Sequence, residues 1–335
     1  MARYNLEVVT KNRSDKYKND EEEKKEPIKS SKTEKKIKKK EKITEKKKEN
    51  KIKKDKEKEE IKKLNPFLKF ILKYLLIFTT IFLVYSILIE PKLFYVKEYK
   101  LVEETLPDSF HGLKIIQLSD INYGSTFTSK DLEEITEKIN ELNPDIVFFT
   151  GNLIDKSLTL DKENKDILIT NLTKINASIN KYAIYGNNDS ETFKEIMELS
   201  NFHILNNETS LLYYEDNTPL LIAGFNTQPD FTIFENIPDI DPSTIYKIVL
   251  SHDPHIIDNI KQYDPNLILS GKTLGGLINP GFTKPIILKK QTKYYKDFYE
   301  IDNIKLYVSN GLGSDSINMR FNNAPSINFF RLYTK

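Results

Sequence analysis

The chain has 335 residues, 30% of them charged, a formal net charge of only +2 and no cysteine. Disulfides and thiolate-bound metals are therefore excluded, while the length allows one large domain or two ordinary ones. The near-neutral total hides an asymmetry, because residues 1–64 contain 25 Lys or Arg against 15 Asp or Glu. This segment carries a net charge of about +10, which leaves about −8 for the rest of the chain.

Residues 1–64 form a Lys/Glu-rich tail with few apolar side chains. Such a segment cannot bury enough apolar surface to fold alone, so we expect a disordered tail or a fluctuating single helix. Its isoleucines do not keep a heptad spacing, which argues against a coiled coil. Because acids and bases are mixed, the tail is expected to be solvated, and the alternative is that its basic charge contacts anionic lipid headgroups. The many acids in the tail argue against nucleic acid as a partner.

A long apolar segment, residues 65–91, follows the tail. Residues 67–89 are apolar apart from Lys69, Lys73 and small hydroxyls, which is long enough for the roughly 30 Å core of a bilayer. Pro91 is expected to end the helix. The Lys-rich flank predicts a single-pass signal anchor with a cytoplasmic N-terminus and an extracytoplasmic C-terminal domain in the cell membrane. No signal-peptide cleavage site follows, so the anchor is expected to stay.

The body of the chain, residues 97–335, alternates short apolar runs with helical patterns. The segment 129–142 places leucine and isoleucine on one helical face, and Ser129 can cap that helix. Further strand-like runs include KYAIYG, PLLIAGF, YKIVLS, NLILSG, IKLYVS and INFFRLY. Strands separated by helices come first and close-set strands later, which indicates a mixed sheet or a two-sheet sandwich with outer helices.

Polar residues follow five of the predicted strands, each at its C-terminal end. Because such ends meet at one edge of an α/β sheet, the five segments are predicted to form one shared site. They are SDIN with Asp120 and Asn122, GNLID with Asn152 and Asp155, GNND with Asn187, Asn188 and Asp189, SHDPH with His252 and His255, and GKTL with Lys272 and Leu274.

In this order the segments resemble the DxH, GD, GNHD, H and GHxH motifs of the calcineurin-like metallophosphoesterases, in particular their membrane-anchored bacterial branch. The resemblance covers nearly all of residues 97–335, including the lead-in LPDSFHGLKIIQLSD and the closing YVSNGLGS. It implies an α/β sandwich of two mixed β-sheets flanked by helices. It also implies phosphoester hydrolysis by two divalent metals, such as Mn, Fe or Zn, which are bridged by one Asp.

The resemblance implies that Asp120, Asn187 and His252 are retained metal-ligand positions. Asn122 stands where the histidine of DxH is expected, and Asn152 stands at the bridging Asp. A neutral amide cannot supply the charge of a bridging carboxylate between two dications.

The remaining motif positions have changed as well. Asn188 replaces the catalytic histidine of GNHD, and Lys272 and Leu274 replace both histidines of GHxH. Leucine has no lone pair, and an ammonium group repels a cation. The sequence therefore predicts no two-metal site and no identifiable catalytic residue. One weakly bound divalent ion on the three retained positions stays open.

Two cationic residues receive structural predictions. The Lys272 ammonium is expected to take the place of a metal and pair with Asp120, and the alternative is that it points to solvent. Arg320 is expected to donate a structural ion pair. His111 and His203 are predicted at the surface or a sheet edge, His255 in a capping or solvent role, and Gly275 and Gly276 where backbones approach closely.

Two functions follow from these residues. The first is a membrane-anchored, catalytically inactive phosphoesterase-like protein, or pseudoenzyme, that binds or scaffolds an unknown protein or envelope partner. The alternative is a residually active metal-dependent phosphoesterase that acts on a phosphomonoester or phosphodiester in lipid or envelope chemistry.

Overall fold

The computed structural model describes residues 46–54, 65–124, 126–235, 237, 245–285, 292–314 and 318–335. Most of the tail therefore lies outside the described residues, and its predicted disorder stays a prediction. Residues 46–54 are helical and fully exposed. The chain divides into two compact units, Met1–Leu75 and Leu76–Lys335.

The predicted apolar helix is present as α1 (Pro66–Val84), and none of its residues is buried. Its α-helical backbone passes into a π-turn, Tyr85–Ile89, and then a 3₁₀ turn, Glu90–Lys92, that contains Pro91. Proline has no N–H for a continuing helix, so the predicted end is confirmed. The segment Pro66–Lys92 is long and apolar enough to cross a membrane. Only two residues then separate it from the first strand.

Four α-helices occur in the described part of the body: α2 (Ser129–Leu142), α3 (Lys162–Thr173), α4 (Glu191–Leu199) and the short α5 (Ile257–Ile260). The predicted cap of α2 is wrong by one residue. Thr128 is the N-cap and forms a capping box with Asp131, while Ser129 is the first helical residue. The box satisfies N–H groups at both ends of the first turn, which fixes the start of the helix.

The first sheet is mixed, with strand order β1-β12-β2-β3-β4-β5. Strands β2 to β5 run parallel, so the register Leu118↔Phe149↔Ala183 brings three C-terminal ends together. The strands are β1 (Tyr95–Glu103), β2 (Lys114–Leu118), β3 (Ile146–Phe149), β4 (Asn180–Ala183), β5 (His203–Ile204) and β12 (Ser326–Thr334).

The second sheet is also mixed, with strand order β10-β11-β9-β8-β7-β6. Strands β7, β8 and β9 run parallel, and β6 is antiparallel to β7. The strands are β6 (Glu208–Leu212), β7 (Leu220–Phe225), β8 (Lys247–Ser251), β9 (Leu267–Ser270), β10 (Phe298–Ile301) and β11 (Ile304–Val308).

The two sheets pack face to face around a common core, which confirms the predicted sandwich. Buried side chains of both sheets, among them Phe148, Leu250 and Leu269, form one cluster. The outer face of the first sheet packs on α2, α3 and α4, and that of the second sheet packs on α5. A fully buried side chain of this size contributes about 1.5–3 kcal/mol, so the interfaces hold the strand ends in fixed positions.

Candidate functional site

The five predicted corners meet, with two contributed by the second sheet and three by the first. The Asn152 side chain after β3 contacts both Asp120 after β2 and the backbone of Asn188 after β4. Lys272 after β9 donates its backbone N–H to Asp120, and His252 after β8 contacts the backbone of the first sheet. The predicted shared site is therefore confirmed as a meeting point of strand ends.

The corners use backbone conformations that most residues avoid. Asp120, Asn122 and Asn152 have φ values of 50°, 45° and 62°, and Lys272 and Leu274 have φ values of 71° and 51°. Asp and Asn tolerate this left-handed region, whereas Lys and Leu adopt it at a cost of about 1 kcal/mol or more. The surrounding structure therefore imposes these conformations on the loops.

Glycine is required where two corners touch. A Cβ atom on Gly186 would lie 2.4 Å from the backbone nitrogen of Asn152, and one on Gly271 would lie 1.9 Å from Ser119 Oγ. The predicted close approach at Gly275 is also found, because a Cβ there would lie 2.3 Å from Asn323 Oδ1. These contacts leave no room for larger residues.

Asp120 is the buried carboxylate at the centre of the site, with 1% of its surface exposed. Its Oδ1 accepts from Asn152 Nδ2 at 2.9 Å, and its Oδ2 accepts from Ser119 Oγ at 2.6 Å and from the Lys272 backbone N–H at 2.9 Å. Both oxygens of the carboxylate are thus satisfied by hydrogen-bond donors of the protein itself.

The Asn152 amide is oriented by its other neighbour. Its Oδ1 accepts the backbone N–H of Asn188 at 3.0 Å, and a backbone N–H requires an oxygen acceptor, so Nδ2 faces Asp120. At the position where the resemblance implies a bridging carboxylate, this side chain therefore presents an N–H group to Asp120. With aspartate at position 152, two carboxylates would face each other and a cation would be needed between them. The amide of Asn152 instead binds Asp120 directly.

His252 is buried, and its Nδ1 lies 2.6 Å from the carbonyl oxygen of Thr150. A carbonyl only accepts, so Nδ1 carries a proton, and in the neutral form of the ring Nε2 presents a lone pair. Nε2 has no hydrogen-bond partner among the described residues and lies 3.8 Å from Asp120 Oδ1. Asn122 Oδ1 is a second buried acceptor without a partner there. These corners thus retain two buried atoms without a partner, and one of them, His252 Nε2, lies near the Asp120 carboxylate.

Asp189, the last residue of GNND, has a structural role. Its two oxygens accept the backbone N–H groups of Asn152 at 2.7 Å, Leu153 at 2.9 Å and Gly186 at 2.7 Å. These bonds join the corners after β3 and β4. At this corner Asn187 is exposed and Asn188 is half-buried, and Asn187 lines the pocket described next.

The predicted ion pair between the Lys272 ammonium and Asp120 is wrong in its acceptor. The ammonium instead pairs with Asp253, which also accepts from His255 Nδ1 at 2.9 Å. Burial acts to raise the pKa of Asp253, but the bonds from Lys272 and His255 outweigh it and lower that pKa to about 2. Lys272 has φ > 0, and it contacts two corners: its backbone N–H donates to Asp120, while its ammonium pairs with Asp253 in the loop after β8.

A pocket of about 150 Å³ opens beside this ion pair. Charged and polar groups from both sheets share its wall, so it is suited to a polar ligand. They include Asn187, Asn226, His252, Asp253, His255 and Lys272. The sequence motifs did not identify Asp253, although its position between two histidines was a signal.

The remaining predictions have mixed outcomes. His111 and His203 are exposed, and His203 begins the edge strand β5, as predicted. The prediction for Arg320 is wrong in its partner. Its fully buried guanidinium donates to main-chain carbonyls instead of a carboxylate, because the loop that carries them folds around it. These carbonyls belong to Asn310, Gly311, Gly313 and Asn323.

Arg320 matters for the site through the loop that it holds. Burial lowers the pKa of Arg320 to about 10, and Asp120 and Glu90 act against that shift. The loop donates in turn to the Asp120 carbonyl, from Leu312 at 3.2 Å and from Gly313 at 2.8 Å. The buried guanidinium therefore supports the central corner from behind.

Comparison with known proteins supports the family that the sequence motifs resemble. The sequence profile of the family described as calcineurin-like phosphoesterase matches residues 113–309. The uncharacterized metallophosphoesterase YkuE of Bacillus subtilis (strain 168) is 31% identical over 258 residues, which cover 74% of this chain and 88% of that protein.

Two further relatives are more distant. A transmembrane protein with metallophosphoesterase domain from Danio rerio is 25% identical over 73% of this chain, and the match spans 59% of that protein's length. The UDP-2,3-diacylglucosamine pyrophosphatase LpxG of Chlamydia muridarum (strain MoPn / Nigg) is 26% identical over 68% of this chain and 86% of its own length.

Proposed function

Since the chain belongs to the calcineurin-like phosphoesterase family, we propose that it is a membrane-anchored member without two-metal catalysis, whose retained fold binds or scaffolds a partner. The observation that carries this proposal is the 2.9 Å hydrogen bond from Asn152 Nδ2 to Asp120 Oδ1. This hydrogen bond uses the Asp120 oxygen that, at a matching metal-ligand position, would be available to a cation. The pocket beside Lys272 and Asp253 supplies a surface for a polar ligand.

The donor set does not fit the two divalent cations that the family typically uses. Asp120 is the only carboxylate among the matching positions that faces the centre, since Asp189 is occupied by three backbone donors. One negative charge cannot neutralise two adjacent dications. Leu274 offers no lone pair, and no group of three His, Asp or Glu side chains suited to a metal occurs in the described part of the chain.

The membrane setting is part of the proposal. Segment Pro66–Lys92 supports a single-pass anchor, and the basic tail before it supports a cytoplasmic N-terminus and an extracytoplasmic body. The tail would contact anionic lipid headgroups, while the body would meet a protein or envelope partner. Nucleic acid is not proposed as a partner, because acids dilute the charge of the tail.

A second candidate function is residual single-metal hydrolysis. His252 Nε2 has no partner among the described residues and lies 3.8 Å from Asp120 Oδ1, and Asn122, two residues after Asp120, has a buried side-chain oxygen that is also without a partner there. Together they could ligate one divalent ion weakly. The relative named as a UDP-2,3-diacylglucosamine pyrophosphatase favours a lipid-linked phosphate or pyrophosphate as the substrate class in that case.

One experiment separates the two candidates. The full chain in mild detergent is exposed to Mn, Fe and Zn, its metal content is measured, and a generic phosphodiester and phosphomonoester are offered to the same sample. The matched positive control restores the family residues in one variant. Its substitutions are Asn122→His, Asn152→Asp, Asn188→His, Lys272→His and Leu274→His.

We expect no stoichiometric metal and no turnover in the natural chain, and metal uptake in the restored variant. One equivalent of metal with slow turnover would favour the second candidate. Near two equivalents with turnover in the natural chain would refute the proposal, because the amide and ammonium groups would then have to support the family chemistry.

A further inference from the structure

The end of α1 is packed against the body rather than separated from it by a stalk. Within the unit Leu76–Lys335, the ring of Phe321 lies 4.8 Å from the ring of Phe82 and 6.3 Å from that of Tyr85, between centroids. The Arg320 backbone N–H donates to the Ser86 carbonyl at 2.9 Å. Aromatic and backbone contacts therefore fix this side of the body along the last turns of the apolar helix.

These contacts lie deep along the helix. Phe82 precedes Glu90 by eight residues, which is about 12 Å along the axis of an α-helix. The helix surface between them remains apolar and exposed, with Leu88 66% and Ile89 47% accessible. A helix that spans a bilayer keeps such a surface in the hydrocarbon or at its boundary. With the anchoring proposed above, Phe321 therefore lies at the level of this apolar surface, and the segment paired with Phe321 lies close to it.

The segment paired with Phe321 is the loop 277–285 that follows the site corner of β9. Ile278 forms a parallel bridge to Phe321, the Phe321 N–H donates to the Leu277 carbonyl at 3.0 Å, and the Asn279 N–H donates to the Phe321 carbonyl at 2.9 Å. Four residues after this bridge, Phe282 is 89% exposed. It is the most exposed of the large apolar side chains in the described part of the chain.

We propose that loop 277–285 is a second membrane contact, in which Phe282 inserts into the lipid interface beside α1. Two features of the loop support this. Its position is continuous with the apolar surface of α1 through Phe321, and the exposed Lys284 follows two residues after Phe282. An aromatic side chain next to a lysine matches the boundary between acyl chains and headgroups. The inference rests on the membrane anchoring proposed above.

The contact would orient the candidate site. The loop begins directly after the turn that contains Lys272 and Leu274, so seating it in the interface brings the pocket to the membrane surface. A ligand of that pocket would then be a headgroup or another group presented at the bilayer, and it would be reached from the lipid side.

The chain contains no tryptophan, so the fluorescence of a single introduced tryptophan reports the surroundings of that residue alone. We would reconstitute the full chain with Phe282→Trp in vesicles of phosphatidylcholine and phosphatidylglycerol and measure quenching by lipids that carry a shallow spin label. Leu83→Trp on α1 reports anchoring. Tyr213→Trp is the matched control, because the loop after β6 lies at the opposite end of the parallel strands and Tyr213 is 52% exposed.

We expect blue-shifted emission and about twofold quenching for Phe282→Trp, as for a side chain 5–10 Å deep in the interface, and neither effect for Tyr213→Trp. Quenching of Leu83→Trp alone would overturn the loop contact and leave the anchoring intact. Quenching of neither would overturn both. A blue shift of Phe282→Trp without quenching would mean that a protein surface covers the loop, which also refutes the proposal.

Discussion

Replacing Asn152 by aspartate tests the central hydrogen bond directly. The substitution changes an N–H donor into an oxygen that stands about 2.9 Å from Asp120 Oδ1. At an effective dielectric constant of about 20, two charges at this distance repel by about 5–6 kcal/mol. The pair would relieve the repulsion by holding one proton, as coupled carboxylates do.

The cost of this shared proton sets the expected magnitude. Raising one carboxyl pKa by two to three units above its ordinary value lowers stability at pH 7 by about 3–4 kcal/mol. For a body of this size that corresponds to a decrease in the unfolding temperature of about 10 °C. Because the folded state binds the extra proton, the loss should shrink as the pH falls from 7 toward 4.

The assay is thermal unfolding of the full chain in detergent with a chelator, followed by circular dichroism. Asn201→Asp is the matched control, since Asn201 has φ 61° against 62° for Asn152 but is exposed. Mn²⁺ should restore part of the loss only in Asn152→Asp, because a cation can replace the proton between two carboxylates. Equal unfolding temperatures for the two variants in chelator would refute the hydrogen-bonded, cation-free arrangement.

Three further substitutions test other parts of the structure. Lys272→Met should lower stability by less than about 1 kcal/mol because its ion pair is half exposed, and should raise the pKa of Asp253 from about 2 toward its ordinary value. The ion pair in the natural chain therefore stabilises the fold at pH values above the ordinary pKa of an aspartate. If the Asp253 pKa measured by carboxyl NMR titration were the same in the variant and in the natural chain, the result would contradict this. Lys181, whose pKa burial lowers to about 8, makes the chain more stable as the pH rises from about 8 to 10.5. Lys181→Met should abolish that rise in chemical unfolding, and a persistent rise would exclude Lys181 as its source. Arg320→Gln should cost about 3 kcal/mol or more, since it leaves buried carbonyls without donors; an unchanged melting curve would show that the loop does not need the guanidinium.

The sequence predicted the positions of the corners but not the bonds made there. Strand ends follow from apolar runs and glycines, so the meeting of Asp120, Asn152 and His252 could be predicted. The amide orientation of Asn152 depends on a backbone N–H of another corner, which no local pattern encodes. For the same reason the Lys272 ammonium was assigned to Asp120, although in the folded chain it pairs with Asp253 and only the Lys272 backbone N–H reaches Asp120.

Two other features were out of reach for a similar reason. The strand β1 was not predicted because its charged residues, such as Lys97 and Glu98, obscure the apolar alternation. The role of Arg320 is set by four carbonyls from a loop that adopts its shape only in the folded chain. Side chains that act on distant backbone leave little trace in local sequence.

The short junction between α1 and β1 determines how the body can meet other molecules. Two residues, Leu93 and Phe94, separate Lys92 from Tyr95, and even when fully extended they reach only about 7 Å. In the membrane-anchored arrangement proposed above, a body on so short a tether stays at the bilayer surface. Its encounters are confined to the layer next to the membrane, where lateral diffusion and the surface density of its partners set their rate. A pocket of low affinity can therefore be well occupied by a ligand that is held in the same layer, because the effective concentration of that ligand is high.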